Sequence, residues 1–385
     1  METRPIYLDH AATTPVRAEV RAAMEPYLSE QFGNPNSAHR WGREARNALE
    51  QARHRVAAAL GARRTEVFFT GCGTESDNLA VLGRARAARR AGEPDGVVCS
   101  AIEHKAVLNA AAAAAAEGSP LTLLAVDPTG HVPLDAVAEA LDSRPAVLSV
   151  MWGNNEIGTV QPVAEIGELC AEAGVCFHTD AVQALGKTRV RVDEAPCDLL
   201  AISGHKIGAP KGVGVLFARA GVDLAPITHG GGQESNVRPG TQNVAGAVGM
   251  AVAVELAASE METEAARLSG LRDELETALR AAVPDLAVNG AGVRLPHVLN
   301  VSFPGVDQEM ILMALDLEGV AVSGGSACQS GGASPSHVLV ALGRPASGEA
   351  WLRFSLGHTT TREDVREAAA RIPGVVARLR VMAHA

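Results

Sequence analysis

Two segments of this chain place reactive side chains directly after apolar runs that have the character of strands. Residues 198–202 are followed by Ser203, Gly204, His205 and Lys206, so a lysine amine stands where a strand stops. Residues 175–180 end in the same way in an acid, Asp180. A lysine that can form an imine and an acid that can hold a pyridinium nitrogen are the two protein groups that pyridoxal 5'-phosphate (PLP) chemistry needs. Lys206 and Asp180 are therefore the first candidates for catalysis.

A third candidate is Cys328, which lies in a segment rich in Gly and Ser (residues 323–336). A lone cysteine is more often a buried and inert apolar side chain. Its polar surroundings favour instead an accessible thiol that can move to a substrate. The other five cysteines form no CxxC pair and no metal-ligand spacing. We therefore predict no metal site and a set of free thiols, as in a reducing compartment such as the cytoplasm.

Composition sets the broad class of protein. A length of 385 residues predicts two domains with ample core. The net charge of −10 argues against a nucleic-acid partner, since phosphate backbones attract basic surfaces. The N-terminus has no signal-peptide pattern, and no apolar run reaches the roughly 18 residues that a membrane span requires. We expect a cytoplasmic enzyme without a membrane or nucleic-acid contact.

Short apolar strands alternate with helices through the first two thirds of the chain. This order predicts an α/β fold with a mostly parallel sheet, covered by helices on both faces. In such sheets ligands bind at the carboxyl ends of the strands. After about residue 255 the pattern changes to a long charged helix, further strands and a final helix, which predicts a smaller α+β domain. The expected division is a large domain at 16–255 and a small domain formed by 1–15 and 256–385.

Eleven short motifs, in one order along nearly the whole chain, resemble those of the cysteine desulfurases, PLP enzymes of the aminotransferase class V superfamily. The matching segments are residues 7–15, 33–37 with His39, 73–78, 103–108, 154–158, 178–183, 203–206, 238–241, 325–328, 335–339 and 353–357. The resemblance implies an aspartate aminotransferase-like large domain. The short segment around Cys328 is similar to the branch that supplies sulfur to iron–sulfur scaffolds and to tRNA thiolation.

The resemblance also assigns roles near the cofactor ring. Lys206 would bond PLP and move the Cα proton, and Asp180 would keep the ring nitrogen protonated. His104 would stack on the ring face and exchange protons. Asn155 and Gln183 would hydrogen-bond the phenolic oxygen or the substrate. Cys328 would take the substrate's sulfur as a persulfide.

The phosphate is expected on the helix that Thr74 opens, where free backbone N–H groups favour an anion. The spacing of Thr74 and Asp77 predicts a capping box, with Asp77 in place of the usual Glu. The side chains of Glu75 and Asp77 should point away from the phosphate, although Glu75 belongs to this cofactor-binding segment. A small residue is common in the family at the position of Cys72, so this chain departs from the pattern there.

The resemblance implies further contacts by five residues. Ser203 and His205 would donate to the phosphate. Thr241 would reach the phosphate of a second subunit, which implies a homodimer. Arg353 would hold the substrate carboxylate with its planar fork, and Asn36 would assist.

The implied activity is the conversion of L-cysteine into L-alanine, with the sulfur passed from Cys328 to an acceptor protein. If that acceptor is an iron–sulfur scaffold, Cys328 is expected at the interface. A selenocysteine lyase, another class V aminotransferase and a sulfur donor for other thio-compounds would share the PLP site. A catalytically inactive sulfur-relay scaffold is the alternative from another class. A nicotinamide dehydrogenase is disfavoured because no GxGxxG follows an early strand.

Overall fold

The computed structural model describes residues 4–325, 336–344 and 348–383. Its largest sheet has seven strands in the order β2-β8-β7-β6-β5-β3-β4. Strands β3 to β7 run parallel to one another, and β8 runs antiparallel to both of its neighbours, β2 and β7. The strands of this sheet are β2 (Val67–Thr70), β3 (Val97–Ser100), β4 (Leu121–Leu124), β5 (Val147–Ser149), β6 (Cys176–Asp180), β7 (Leu199–Ser203) and β8 (Gly214–Ala218). The predicted α/β class with a mostly parallel sheet is confirmed.

The central strands β3 and β5 to β8 are buried along their whole length, apart from the first residue of β6. Apolar runs such as Leu199–Ser203 can be buried on both faces because helices cover the sheet on each side. The helices of the described chain are α1 (Ala18–Leu28), α2 (Arg40–Leu60), α3 (Gly73–Asn78), α4 (Arg84–Ala91), α5 (Lys105–Ala116), α6 (Leu134–Leu141), α7 (Val163–Ala173), α8 (Val244–Ala282), α9 (Gln308–Leu317), α10 (His337–Ala341) and α11 (Arg362–Ala383). A π-helical stretch, Leu79–Gly83, joins α3 to α4.

A second hydrophobic core lies apart from the one around the large sheet. It combines Ile6 and Leu8 with apolar residues between Leu268 and Leu379. Its strands form an antiparallel sheet in the order β12-β10-β9 and a parallel pair of β1 with β11. These strands are β1 (Ile6–Tyr7), β9 (Ala287–Asn289), β10 (Val298–Pro304), β11 (Val320–Ala321) and β12 (Glu349–Ser355). We propose the predicted two-domain division, which this separate core supports.

Helix α8 connects the two cores. Its first half, up to Val254, packs with the large sheet, whereas Leu268, Leu271, Leu275 and Leu279 belong to the second core. Within the described chain it is also the one helix whose length and composition would suit a membrane span, but 56% of that apolar window is buried in the protein. Burial against α1 and α2 accounts for its apolar character.

Candidate active site

The carboxyl ends of the parallel strands meet at one edge of the large sheet and surround a cavity of about 190 Å³. Strand β6 ends at Asp180 and β7 ends at Ser203, while His104 and Asn155 follow β3 and β5. The N-terminal segment and β12 close the cavity from the second core. The lining residues are Ala11, Ala12, Cys72, Gly73, Thr74, Asp77, His104, Met151, Asn155, Asp180, Val182, Gln183, Ser203, His205, Lys206 and Arg353.

Lys206 stands at the end of a single 3-10 turn, Gly204–Lys206, directly after β7. Its Nζ donates to the carbonyl oxygens of Ala11 and Ala12, at 2.5 and 2.8 Å. The turn itself is held from the same segment, because Thr14 donates through both its backbone N–H and its hydroxyl to the carbonyl of His205. Backbone oxygens therefore position the amine of Lys206, and the residue lines the cavity.

Asp180 is 5% exposed and accepts a hydrogen bond from the backbone N–H of Val182 at 2.8 Å. Burial raises the pKa of its carboxyl, and the nearby charges of His104 and Lys206 oppose that shift. A buried carboxyl of this kind gains most from a cationic partner. The protonated pyridine nitrogen of a bound cofactor would supply that positive charge.

His104 is the N-cap of α5, where its Nδ1 accepts the backbone N–H of Ala106 at 3.1 Å. Because Nδ1 is used as an acceptor, the proton of the neutral ring sits on Nε2. Burial lowers the pKa of His104. The residue therefore presents a neutral ring with one N–H donor, which suits both stacking and proton exchange.

The helix at the other end of the cavity begins at Gly73, one residue earlier than predicted. Its N-cap is Cys72, which makes no side-chain cap, so the predicted capping box at Thr74 and Asp77 is wrong. The physical reason is that Asp77 is buried one turn into the helix and cannot reach back to its start. The first backbone N–H groups of the helix are thus left for a ligand.

Two further observations show that this end of the cavity fits a phosphate. The Oγ of Ser203 is buried and has no hydrogen-bond partner within the described residues. A Cβ added to Gly73 would lie 2.9 Å from Val182 Cγ2 and 3.2 Å from Ser203 Cβ, so glycine keeps this cradle open. An uncapped helix start, an unsatisfied hydroxyl and a glycine together form an anion site. Thr74, His205 and Cys72 line the same cavity.

The two acids that follow Thr74 have different surroundings. Glu75 points away from the cavity, as expected, and binds Arg238 Nε at 2.9 Å and the backbone N–H of Gly71. Its side chain therefore makes no contact with the cavity, and only its backbone remains for the cofactor. Asp77, in contrast, lines the cavity. Its carboxylate, that of Asp180 and a ring nitrogen of His104 lie within 4.8 Å of one another. Such a cluster could hold a metal ion or lie beside the ring of a phosphate-bearing cofactor, whose phosphate the adjoining cradle fits.

Arg353 lies at the wall that the second core contributes, and it is 2% exposed. Its Nη2 pairs with Asp9 Oδ1 at 2.7 Å, and its Nη1 donates to the carbonyl of Asn155 at 3.1 Å. Its Nε has no partner within the described residues. The guanidinium is thus held in place by two oxygens while it keeps a donor for a carboxylate.

Within the described residues, two candidates from the sequence besides Glu75 do not line this cavity. Asn36 and Thr241 are exposed on the surface of the single chain. They belong to neighbouring segments, since Asn36 Nδ2 donates to Gln242 Oε1 at 3.4 Å. Cys328 lies outside the described residues.

Sequence reasoning missed several partners of the predicted residues. Gln183 donates to the carbonyl of Ala11 at 2.9 Å, and its Oε1 lies 3.1 Å from Nε2 of the buried His297. The pairing of Asp9 with Arg353 was also missed, because no local pattern links residues so distant in sequence. His178 could have been found, since it lies two residues before Asp180 and side chains alternate along a strand.

Comparison with known proteins places the chain in a family. The aminotransferase class-V family matches residues 6–367. A protein named cysteine desulfurase IscS, from Dictyoglomus turgidum, is 45% identical over 381 residues, which cover 98% of this chain and 96% of the relative.

Two solved structures have the same fold. A NifS-like protein superposes with a TM-score of 0.90 at 34% identity, covering 98% of this chain and 100% of its own. A structure described as SspA in complex with cysteine gives 0.80 at 35% identity, covering 91% of this chain and 98% of its own. The chain therefore belongs to the aminotransferase class-V family.

Proposed function

We infer that this chain is a cysteine desulfurase, which converts L-cysteine into L-alanine and retains the sulfur on Cys328. The observation that carries this inference is the convergence of Lys206, Asp180 and His104 on one cavity that ends in an anion cradle. The whole-chain similarity to cysteine desulfurases and to a protein in complex with cysteine supports the same substrate.

PLP is the cofactor that the family generally uses, and the residues of the cavity fit it. Lys206 would bond the aldehyde, Asp180 the ring nitrogen and His104 the ring face. Gln183 would hold the phenolic oxygen. The helix start at Gly73, with Thr74, Ser203 and His205, would hold the phosphate. When bound, PLP supplies an electron sink for the α-carbon of the substrate.

Side chains of the protein would carry out the remaining steps of the reaction. Arg353 and Asn155 hold the substrate carboxylate and thereby orient the α-carbon. Lys206 receives the Cα proton and returns it. The Cys328 thiolate attacks the substrate sulfur, so that the C–S bond breaks while an S–S bond forms at Cys328. The carbon that loses the sulfur takes up the proton that Cys328 released on ionising, while the neutral His104 keeps its Nε2 proton as a hydrogen-bond donor, because losing it would leave an imidazolate. L-alanine leaves, and the persulfide remains.

The active protein is a homodimer in this proposal. The neighbouring surface segments that carry Asn36 and residues 238–241 would complete the site of a second subunit, since Thr241 does not line the cavity of its own chain. Arg238 already lies against the start of the cradle through Glu75. Sedimentation of an active monomer would contradict this assembly.

In this proposal, a second protein receives the sulfur from Cys328. An iron–sulfur scaffold or a tRNA-thiolation protein fits the similarity of the Cys328 segment to that branch, and Cys328 would then lie at the interface. We place the reaction in the cytoplasm, where the five described cysteines, which are all free thiols, would stay reduced.

The purified protein should be incubated with L-cysteine and, separately, with L-selenocysteine, with and without a reductant. Desulfuration predicts equal amounts of alanine and of reducible sulfur bound to the protein. Alanine from selenocysteine alone would favour a selenocysteine lyase. A 2-oxo acid would favour an aminotransferase, whereas no product and no visible absorbance would favour an inactive scaffold.

A further inference from the structure

Asp77 and His178 face each other in the core directly beside the candidate active site. Asp77 is 1% exposed and His178 is fully buried. Asp77 Oδ1 lies 3.6 Å from His178 Nε2, which is longer than a hydrogen bond. Neither atom has another partner within the described residues. Because buried polar groups are nearly always satisfied, this facing pair calls for a physical explanation.

A second acid, Asp180, lies near Asp77. Carboxylate oxygens of Asp77 and Asp180 lie within 4.8 Å of each other. Two buried carboxylates at this separation do not both ionise easily. The proposed function requires Asp180 to be the anion, because Asp180 faces the cationic ring nitrogen. Asp77 is then the acid that must be uncharged.

The groups that surround Asp77 also favour its uncharged form. Burial raises the pKa of Asp77 well above its usual range, and the charges of Asp180, Glu103 and Cys72 add to this shift. Burial lowers the pKa of His178 to about 3, so its ring is neutral. Burial also raises the pKa of Glu103 to about 8. Among the described residues, the charges that raise the pKa of Asp77 are those of Asp180, Glu103 and Cys72, and all three are negative, so none of them offsets an ionised carboxylate.

We propose that Asp77 is a neutral carboxylic acid whose proton is held by His178, and that this pair keeps Asp180 the single anion available to a cofactor's ring nitrogen. The His178 ring is fixed for this task because its Nδ1 lies 2.8 Å from the Ser149 hydroxyl. For this hydrogen bond, Asp77 Oδ1 must come closer to His178 Nε2 than the 3.6 Å that separates them in the structure. Asp77 is thus a positioning residue that acts through Asp180. The link to Asp180 rests on the proposed function, whereas the proton on Asp77 does not.

Infrared spectroscopy tests directly whether Asp77 carries a proton. It is recorded at neutral pH on the cofactor-free protein and on the PLP-loaded protein. Aspartate labelled with ¹³C at the side-chain carboxyl separates Asp77 from Glu103. We expect a carbonyl band of a protonated acid that shifts with the label, persists in Asp180→Asn and is lost in Asp77→Asn. Absence of such a band, or its loss in Asp180→Asn with retention in Asp77→Asn, overturns the proposal.

The rate of alanine formation tests whether the pair of Asp77 and His178 acts through Asp180. Asparagine is isosteric with a neutral acid and can donate to His178, whereas alanine leaves Nε2 without a partner. Asp77→Asn should lower kcat at most about threefold, and Asp77→Ala at least about thirtyfold, both with PLP bound. Equal losses in the two variants would refute the positioning role. If the protein formed no alanine at all, the proposed function would fail, while the infrared band would still report the proton on Asp77.

Discussion

Replacement of Arg353 by lysine should raise KM for L-cysteine and leave cofactor binding intact. The buried guanidinium already binds Asp9 and the carbonyl of Asn155 while it keeps Nε unpaired. A lysine ammonium is a point charge and cannot serve both of these oxygens and a substrate carboxylate in one plane. At least one charge-assisted hydrogen bond, about 1.5–3 kcal/mol, is therefore lost from substrate binding. That loss corresponds to a rise in KM of about 10- to 150-fold.

The assay is alanine formation over a range of L-cysteine concentrations, beside the absorbance of bound PLP. Arg267→Lys is the matched control, because Arg267 also binds an acid, Glu264, and two backbone carbonyls, but away from the cavity. Binding of cysteamine, which lacks the carboxylate, should be unaffected by Arg353→Lys. A KM within threefold of the parent's, or an equal loss for cysteine and cysteamine, would refute the assignment.

Three further outcomes follow from the same site. Borohydride reduction and mass spectrometry should place PLP on Lys206, and a label on Lys187 or Lys211 would contradict this. Asp180→Asn should retain PLP but lower turnover by about 10- to 1000-fold, the effect of losing a buried opposite charge; full activity at full occupancy would disprove the role, and Asp198→Asn, directly before the neighbouring strand β7, serves as control. Cys328→Ser should abolish alanine formation from L-cysteine and retain it from L-selenocysteine, because a hydroxyl ionises too poorly to attack sulfur; undiminished desulfuration would point to another acceptor, such as Cys72.

Local sequence patterns were sufficient for most of the large sheet. The strand-like runs at 175–180 and 198–202 form β6 (Cys176–Asp180) and β7 (Leu199–Ser203), with differences of one residue at their ends. The start of α8 was predicted at residue 255, whereas the helix begins at Val244. The missed residues 244–254 are small and apolar, so they carry no amphipathic period. They form a helix because they are buried between the large sheet and α1 and α2.

The candidate site shows the same division between local and tertiary information. Lys206, Asp180 and His104 could be predicted because each follows a strand, and the carboxyl ends of parallel strands meet at one edge. Their partners could not be predicted in this way. The neutral tautomer of His104 depends on a cap, and the uncapped start at Gly73 depends on the burial of Asp77. These features arise only when the chain is folded.

The N-terminal segment joins the two halves of the site. Asp9 binds Arg353, which belongs to the second core, at 2.7 Å. Two residues later, the carbonyl of Ala11 accepts hydrogen bonds from both Lys206 and Gln183, which belong to the large sheet. In the proposed function, a substrate carboxylate at Arg353 would meet the charge of Asp9, and a bond between Lys206 and PLP would withdraw the amine from Ala11. Substrate binding and cofactor attachment would therefore act on the same short segment, although this segment lies far in sequence from Lys206 and Arg353.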